Sequence, residues 1–253
     1  MGYLCYFLVR KLMINSLSII FPVFNEQSRI KNSLNKIKRF IKFSKLKYIE
    51  VIFIDDGSTD NTYSIINNFI LAFKNNKKIR LFLLKNSKNF GKGHAIKAVV
   101  KKARGDIILI QDADLEYDPK ELLKFIPPLL NGSADAVFGS RFRSGEIGRV
   151  LYFWHSLGNK FLTTLSNMTT NLNLTDMETC YKVIRKDMLD SIDLKENRFG
   201  FEPEITAKLA KKGARIYEVG ISYYGRTYEE GKKIGWKDGV RAIYCILKYG
   251  LVK

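Results

Sequence analysis

Apolar residues along this chain alternate between short unbroken runs and longer stretches in which they recur every three or four positions. The first run, residues 16–24, is followed by Ile30, Leu34, Ile37 and Ile41, spaced by four, three and four. That spacing predicts a buried strand and then an amphipathic helix over about 26–43. The pattern repeats with a strand over 49–54 and a helix opened by Ser58-Thr59-Asp60, a strand over 79–84 and a helix near 93–103, and a strand over 107–110 and a helix near 120–130. Strands alternating with helices of this length predict βαβ crossovers and a mostly parallel central sheet flanked by helices. Beyond it the rhythm loosens into a strand over 136–140, a long helix over 151–172, a short strand near 181–184, a helix over 204–212 and a strand over 215–222. The last segment spaces Trp236, Val240, Ile243, Tyr244, Leu247 and Leu251 helically, with Lys237, Arg241 and Lys248 between them. It reads as a basic amphipathic C-terminal helix. The expected architecture is a single α/β domain.

Composition supports one sizeable core: 253 residues, 46% of them hydrophobic, fit a single α/β domain. No window approaches the roughly 18 consecutive apolar residues of a spanning helix, so no integral membrane segment is expected. The apolar run at residues 3–9 is too short to span, lacks a preceding basic region and has no small-residue cleavage site, which argues against a signal peptide. Met13 stands just before the first convincing strand. Residues 1–14 are therefore read as an N-terminal extension, either upstream reading frame or a short interfacial segment, and residues 15–253 as the folded domain. Cys5, Cys180 and Cys245 have neither CxxC nor zinc-ligand spacing, which predicts reduced, structural thiols in a cytosolic protein.

A formal net charge of +18 calls for an anionic partner. In residues 1–105 the only acids are Glu26, Glu50, Asp55, Asp56 and Asp60. Glu26, Asp55 and Asp56, with Asp112 and Asp114, fall at predicted strand ends, where ligands bind in parallel sheets. Pro22-Val23-Phe24-Asn25-Glu26 suits packing on and hydrogen-bonding a nucleoside, although Glu26 also suits a first helical turn. Asp55-Asp56-Gly57-Ser58-Thr59-Asp60 supplies two acids, a flexible glycine and helix N-cap candidates in Ser58, Thr59 and Asp60. Capping explains the hydroxyls but not the paired acids. Phe90-Gly91-Lys92-Gly93-His94 opens a helix, so its glycines let the backbone approach a phosphate while Lys92 adds charge. It matches neither the dinucleotide fingerprint nor the P-loop, and His94 is read as packed or capping rather than as a base. Asp112-Ala113-Asp114, delivered by the apolar run at 107–110, suits Mg²⁺ or Mn²⁺ with a diphosphate. A solvated acidic loop is the alternative, but Gly105-Asp106 and the apolar strand argue for a fixed register.

Taken in order and spacing, residues 22–26, 55–62, 89–95 and 112–116 resemble the family 2 glycosyltransferases with a glycosyltransferase-A fold. Gly139-Ser140-Arg141 and the run from Asp112 to Glu116 are most similar to the polyprenyl-phosphate sugar synthases, the dolichyl-phosphate mannose synthase type among them. The resemblance implies that Pro22, Phe24, Glu26, Asp55, Asp56, Lys92 and Asp112 hold the donor, and that Asp112, Asp114 and Glu116 organise a Mg²⁺ or Mn²⁺ ion. It also implies that Arg141 faces the acceptor phosphate. Two departures bear on the acceptor: Glu116 stands where the synthases commonly carry Gln, and Cys180 where they usually carry glycine.

The expected activity is metal-dependent, inverting transfer of a hexose from a nucleotide diphosphate sugar to a polyprenyl phosphate, with Asp114, Arg141, Asp176 and Glu202 at the reacting centre. An ionised phosphate needs no strong base. Transfer to a saccharide hydroxyl, the alternative, needs one, with Asp176, Glu202 or Glu204 as candidates, although Glu202 and Glu204 also suit a helix start. Arg226, Lys232 and Lys233 lie in a glycine-rich loop that closes over the acceptor phosphate or forms a solvated lid. Leu151, Trp154, Leu157, Phe161, Leu165, Met168 and Leu172 form a helical stripe whose default reading is core and whose alternative is a prenyl groove. The basic C-terminal helix predicts peripheral attachment to the cytoplasmic membrane face. No recognition helix, RNA-binding aromatic signature or zinc module occurs, so no nucleic-acid partner is expected.

Overall fold

A computed structural model describes residues 14–73, 76, 78–113, 116–143, 149–150, 152–225 and 235–251. Its strands are β1 (Ser16–Val23), β2 (Tyr48–Asp55), β3 (Ile79–Lys85), β4 (Ile107–Ile110), β5 (Ala136–Ser140), β6 (Lys182–Arg185) and β7 (Ile216–Gly220). They form one sheet in the order β3-β2-β1-β4-β6-β5-β7. The first four are mutually parallel, and β5 pairs in parallel with β7. Only β6, among the described strands, runs antiparallel, against both β4 and β5. The helices are α1 (Ile30–Phe43), α2 (Thr62–Leu71), α3 (Lys92–Val100), α4 (Leu122–Leu130), α5 (Phe153–Thr170), α6 (Lys186–Asp190), α7 (Phe201–Lys211) and α8 (Trp236–Leu251).

The mostly parallel α/β architecture follows from the apolar runs. β2 is buried beyond its first residue and β4 and β5 are buried throughout, because helices cover both faces of the sheet. The expected elements occur with shifted ends. The helix expected from residue 26 begins at Ile30, because the Glu26 carbonyl accepts the Arg29 and Ile30 N–H groups in a turn. Ile14, assigned above to the extension, is buried in the core; residues 1–13 lie outside the described residues. The short helix α6 was not expected.

One correction concerns a helix face. The α5 stripe read by default as core points outward: Trp154 is 76% exposed, Phe161 58% and Met168 77%, with Leu157 also exposed. The buried positions of α5 are the small polar Thr163 and Ser166, and only Leu162, Leu165 and the following Leu172 pack on the core. The stripe of α8 is likewise outward, with Val240, Tyr244, Leu247 and Leu251 exposed. α8 instead buries Ala242, Cys245, Ile246 and Tyr249. Hydrophobic spacing identified both helices, and on α5 the default core reading misassigned the face that carries Trp154, Leu157, Phe161 and Met168.

The start of the central strand pair is pinned by polar contacts. Asp106 accepts the N–H groups of Asn15 and Ser16 and the Ser16 hydroxyl. The Ser18 hydroxyl donates to Glu50 at 2.5 Å and accepts the Gly105 N–H. A Cβ on Gly105 would lie 2.4 Å from the Ser18 nitrogen, so only glycine lets β4 start this close to β1. Gly105→Ala is expected to cost about 2–3 kcal/mol through overpacking, read as a lower urea midpoint at unchanged m-value.

Candidate active site

The C-terminal ends of β1, β2, β4 and β5 form one rim, and reversal of β6 delivers the residues before it, 176–181, to the same rim. The loops after β1 and β2 are laced together. Asn25, at φ +52°, donates its N–H to the Ser58 hydroxyl and accepts the Thr59 N–H. Gln27 donates its N–H to Asp60 and accepts the Asn61 N–H, while Glu26 donates its N–H to the Thr62 hydroxyl. Ser58, Thr59 and Asp60 thus join two loops. They do not occupy the N-cap of α2, which is Asn61.

The paired acids differ in environment. Asp55 is fully buried; one oxygen accepts the Ser58 N–H at 2.9 Å, and the other is buried without a hydrogen-bond partner. Asp56 is occupied on both oxygens, by the Asn86 amide and by the N–H groups of Phe90 and Gly91. It holds the loop before α3, and Asp55 keeps an oxygen for a ligand. Pro22 and Phe24 sit half-buried and Glu26 buried at the neighbouring end of β1. The glycines around Lys92 also have a packing role. A Cβ on Gly91 would meet the Asn197 carbonyl oxygen at 2.5 Å and one on Gly93 the Glu196 carbonyl oxygen at 2.4 Å. They admit the 196–197 backbone, and His94, stacked on Phe90, donates its N–H to Asn197.

Lys92 reaches the rim from the first turn of α3. Its ammonium lies 3.1 Å from Asp112 Oδ1, 3.0 Å from Glu202 Oε1 and 3.0 Å from Cys180 Sγ. Burial opposes its charge, but Asp112, Cys180 and Glu202 outweigh that and hold it well above the ordinary lysine range. The other Glu202 oxygen meets Lys182 at 2.7 Å. Lys182 is fully buried and also donates to the carbonyls of Met177 and Thr179. Acids and lysines therefore alternate from Asp112 through Lys92 and Glu202 to Lys182. Burial pushes the Cys180 thiol well up, consistent with a structural cysteine.

Arg141, just beyond β5, forms a second ion pair. Its Nε and Nη2 donate to the two Asp176 oxygens at 2.6 and 2.7 Å, and its N–H donates at 3.0 Å. Nη2 also donates to Asn159 of α5, whose amide returns to Asp176. Tyr223 stacks under the guanidinium, 5.1 Å from its centre, and donates its hydroxyl to Glu116 at 3.0 Å. Glu218 of β7 accepts the Thr175 and Asp176 N–H groups. Asp176 is fully buried with both oxygens accepting donors, which makes it a positioning group for Arg141. Glu202 lies between two lysines. Glu204 accepts the Lys195 and Glu196 N–H groups and pairs with Lys208. None of the three proposed bases keeps an oxygen without a donor.

A residue that sequence reasoning passed over does. Glu178 lies between Asp176, which holds Arg141, and Cys180, which touches Lys92, and its Oε1 is buried with no hydrogen-bond partner. Burial, then Glu202 and Asp176, push its carboxyl up to about 7 against the pull of Lys182 and Arg141. Its sequence signal is an acid midway between Asp176 and Cys180, but the place of that segment at the rim depends on the reversal of β6, which the sequence pattern did not reveal. Asp114, Arg226 and Lys232 lie outside the described residues. Of the acidic motif, Asp112 and Glu116 are described, and the Ser33 hydroxyl donates to the Ala113 carbonyl. Their oxygen donors are of the kind that Mg²⁺ and Mn²⁺ take. Among the described residues no three His, Cys, Asp or Glu side chains group as a metal cage, so a cation here needs further oxygens.

Residues 18–193 match the family model for Glycosyl transferase family 2. The chain belongs to this family. It is 27% identical over 241 residues to the UDP-N-acetylglucosamine–dolichyl-phosphate N-acetylglucosaminyltransferase of Methanococcus voltae, covering 90% of this chain and 94% of that one. The low-salt glycan biosynthesis hexosyltransferase Agl6 of Haloferax volcanii is 28% identical over 92% of this chain, which spans about half, 53%, of Agl6. The fold matches glucosyl-3-phosphoglycerate synthase of Mycobacterium tuberculosis, in a complex with Mn²⁺, UDP-glucose and phosphoglyceric acid, at a TM-score of 0.68 and 18% identity, covering 94% and 81% of the two chains. The chain is thus a transferase with the glycosyltransferase-A fold expected from its motifs.

The buried carboxyl of Glu178 is testable through pH. Between its ordinary value of 4.5 and about 7, the folded chain keeps a proton there that the unfolded chain has lost. Stability contributed by this group therefore falls as pH rises through that window. Glu178→Gln removes the fall. The variant is expected to gain stability relative to wild type from about pH 5 to pH 7 and to hold that gain above it, read by denaturant midpoints.

Proposed function

We propose that this chain is a metal-dependent, inverting hexosyltransferase that moves a sugar from a nucleotide diphosphate donor to a polyprenyl phosphate at the cytoplasmic membrane face. One observation carries the lipid acceptor: Asn159, which holds Arg141 at 3.1 Å, sits on α5 between the outward-facing Leu157 and Phe161. The helix that presents an apolar row to the surroundings thus also orients the cation that would meet an acceptor phosphate. The dolichyl-phosphate substrate in the name of the M. voltae relative supports the same reading. Among the described residues no helix is long and apolar enough to cross a membrane. Attachment would instead use the exposed apolar residues of α5 and α8, with Arg241 and Lys248 drawn to anionic headgroups.

In this reading Pro22, Phe24 and Glu26 flank the nucleoside, and the free Asp55 oxygen accepts a hydrogen bond from its base. Asp56 acts through the loop that carries Lys92. Asp112, Asp114 and Glu116 hold the divalent cation, which when bound supplies positive charge against the diphosphate. Lys92 keeps Asp112 in place, and its ammonium adds to the same field. Arg141, oriented by Asp176 and Asn159, aligns an acceptor phosphate oxygen for attack on the anomeric carbon from the face opposite the departing nucleotide diphosphate. Attack from that face inverts the sugar configuration. Arg226 and Lys232 are assigned to the acceptor phosphate. A second reading, transfer to a saccharide hydroxyl, rests on Glu178, whose unpartnered oxygen suits a proton acceptor.

Radiolabelled nucleotide sugar with a short polyprenyl phosphate should give a lipid-extractable product that chelator suppresses. Asp112→Asn should lower transfer on the order of 10²–10³-fold with an unchanged circular dichroism spectrum. Water-soluble product alone would favour the hydroxyl acceptor. Trp154→Ser combined with Phe161→Ser should reduce co-sedimentation with vesicles containing anionic lipid by about tenfold or more, as expected for two buried aromatic side chains; undiminished sedimentation would remove α5 from the membrane surface.

A further inference from the structure

The 176–180 segment runs from one ion pair to another. At its start Asp176 is held by Arg141, and at its end Cys180 lies against Lys92. Among the described residues, the charged groups that act on Glu178 are already matched. Arg141 beyond β5 is paired with Asp176, Lys182 of β6 with Glu202 of α7, and Lys92 of α3 with both Asp112 and Glu202. Glu178 is the carboxyl left over, with one oxygen buried and no donor supplied to it by the described residues. A phosphate ester brought to Arg141 adds two negative charges beside this group. Two like charges in one partly buried site cannot both persist, and the carboxyl takes a proton.

We propose that Glu178 contacts the acceptor phosphate as a neutral acid, its O–H donating to a phosphate oxygen, so that binding of a prenyl phosphate takes up one proton from solvent. This rests on the phosphate-acceptor reading above. The carboxyl already holds its proton up to about pH 7 without ligand, so a bound dianion needs only to extend that range. No bond to carbon or phosphorus changes in this step: a carboxylate and a solvent proton become a carboxylic acid, which donates to the phosphate. The acid complements Arg141, which is already shared with Asp176 and Asn159, and would distinguish a phosphate monoester from a neutral hydroxyl.

The test is calorimetric titration of the full chain with farnesyl phosphate in detergent, near pH 8, in two buffers of different ionisation enthalpy. Wild type is expected to take up close to one proton per ligand near pH 8, where farnesyl phosphate is a dianion, and to bind about fivefold more weakly at pH 8 than at pH 6. The roughly tenfold change of one linked group near neutrality is halved because about half the ligand carries its own proton at pH 6. Glu178→Gln, which keeps a donor but cannot ionise, should take up no proton and lose this pH dependence. No uptake by wild type, or equal uptake by both proteins, overturns the proposal; a wild-type count of zero does so even if the variant does not fold, and Glu178→Asp, which still ionises, is expected to keep the uptake if Glu178→Gln does not fold. If wild type binds farnesyl phosphate at neither pH while still binding nucleotide sugar, the acceptor reading itself fails. If Glu178→Gln keeps donor binding but loses transfer to a saccharide hydroxyl that wild type performs, Glu178 is a general base and the neutral-acid role is overturned.

Discussion

The rim of this molecule depends on the alternation of buried charge from Asp112 to Lys92, Glu202 and Lys182. Each oxygen of Glu202 meets a different lysine, and Lys182, with no exposure at all, also ties down the carbonyls of Met177 and Thr179. A buried lysine without such partners would lose its proton or its place. The chain joins three layers: the strand end that carries the acidic motif, the helix that opens after Gly91, and the helix that begins at Phe201. It also sets the shape of the 176–180 segment, and so the position of the acid that holds Arg141. The part of the rim around Asp112 and the part around Arg141 are thus coupled through one electrostatic chain rather than built separately.

Much of the first half was legible because local signals there coincide with global ones. Apolar runs in β1, β2 and β4 are buried on both faces, and in an acid-poor segment the few carboxylates stand out at strand ends. What eluded the pattern has physical causes. Strand direction leaves no mark in a run as short as Lys182–Arg185, yet that direction decides which end of the sheet residues 176–181 occupy. A stripe with helical period identifies a helix but not which face looks inward, and α5 buries Thr163 and Ser166 while exposing Trp154 and Phe161. The packing role of the glycines next to Lys92 was invisible because the segment they admit, 196–197, is about a hundred residues away in sequence.

The carboxylates show why residue type alone could not assign roles. Asp55 and Asp56 are adjacent, but one keeps an open oxygen and the other is spent on three backbone and side-chain donors. Asp176, Glu202 and Glu204 share the acidity expected of a base, and each is committed to an ion pair. Glu178 differs from them only in having been left without a donor. Hydrogen-bond saturation, a property of the folded rim, separates supports from groups free to meet a ligand.

The close approach of the Gly91–Gly93 turn to the backbone of residues 196–197 bears on where the domain ends. The family match stops at residue 193, but the surface against which that turn closes lies just after it, and Glu202, the centre of the buried charge chain, lies further on. A fragment cut at the limit of family similarity would carry Lys92 and Lys182 with no acid between them and a helix start with nothing to rest on. In this chain the folded unit is larger than the span matched by the family model: residues beyond 193 supply the counter-charge on which Lys92 and Lys182 rely.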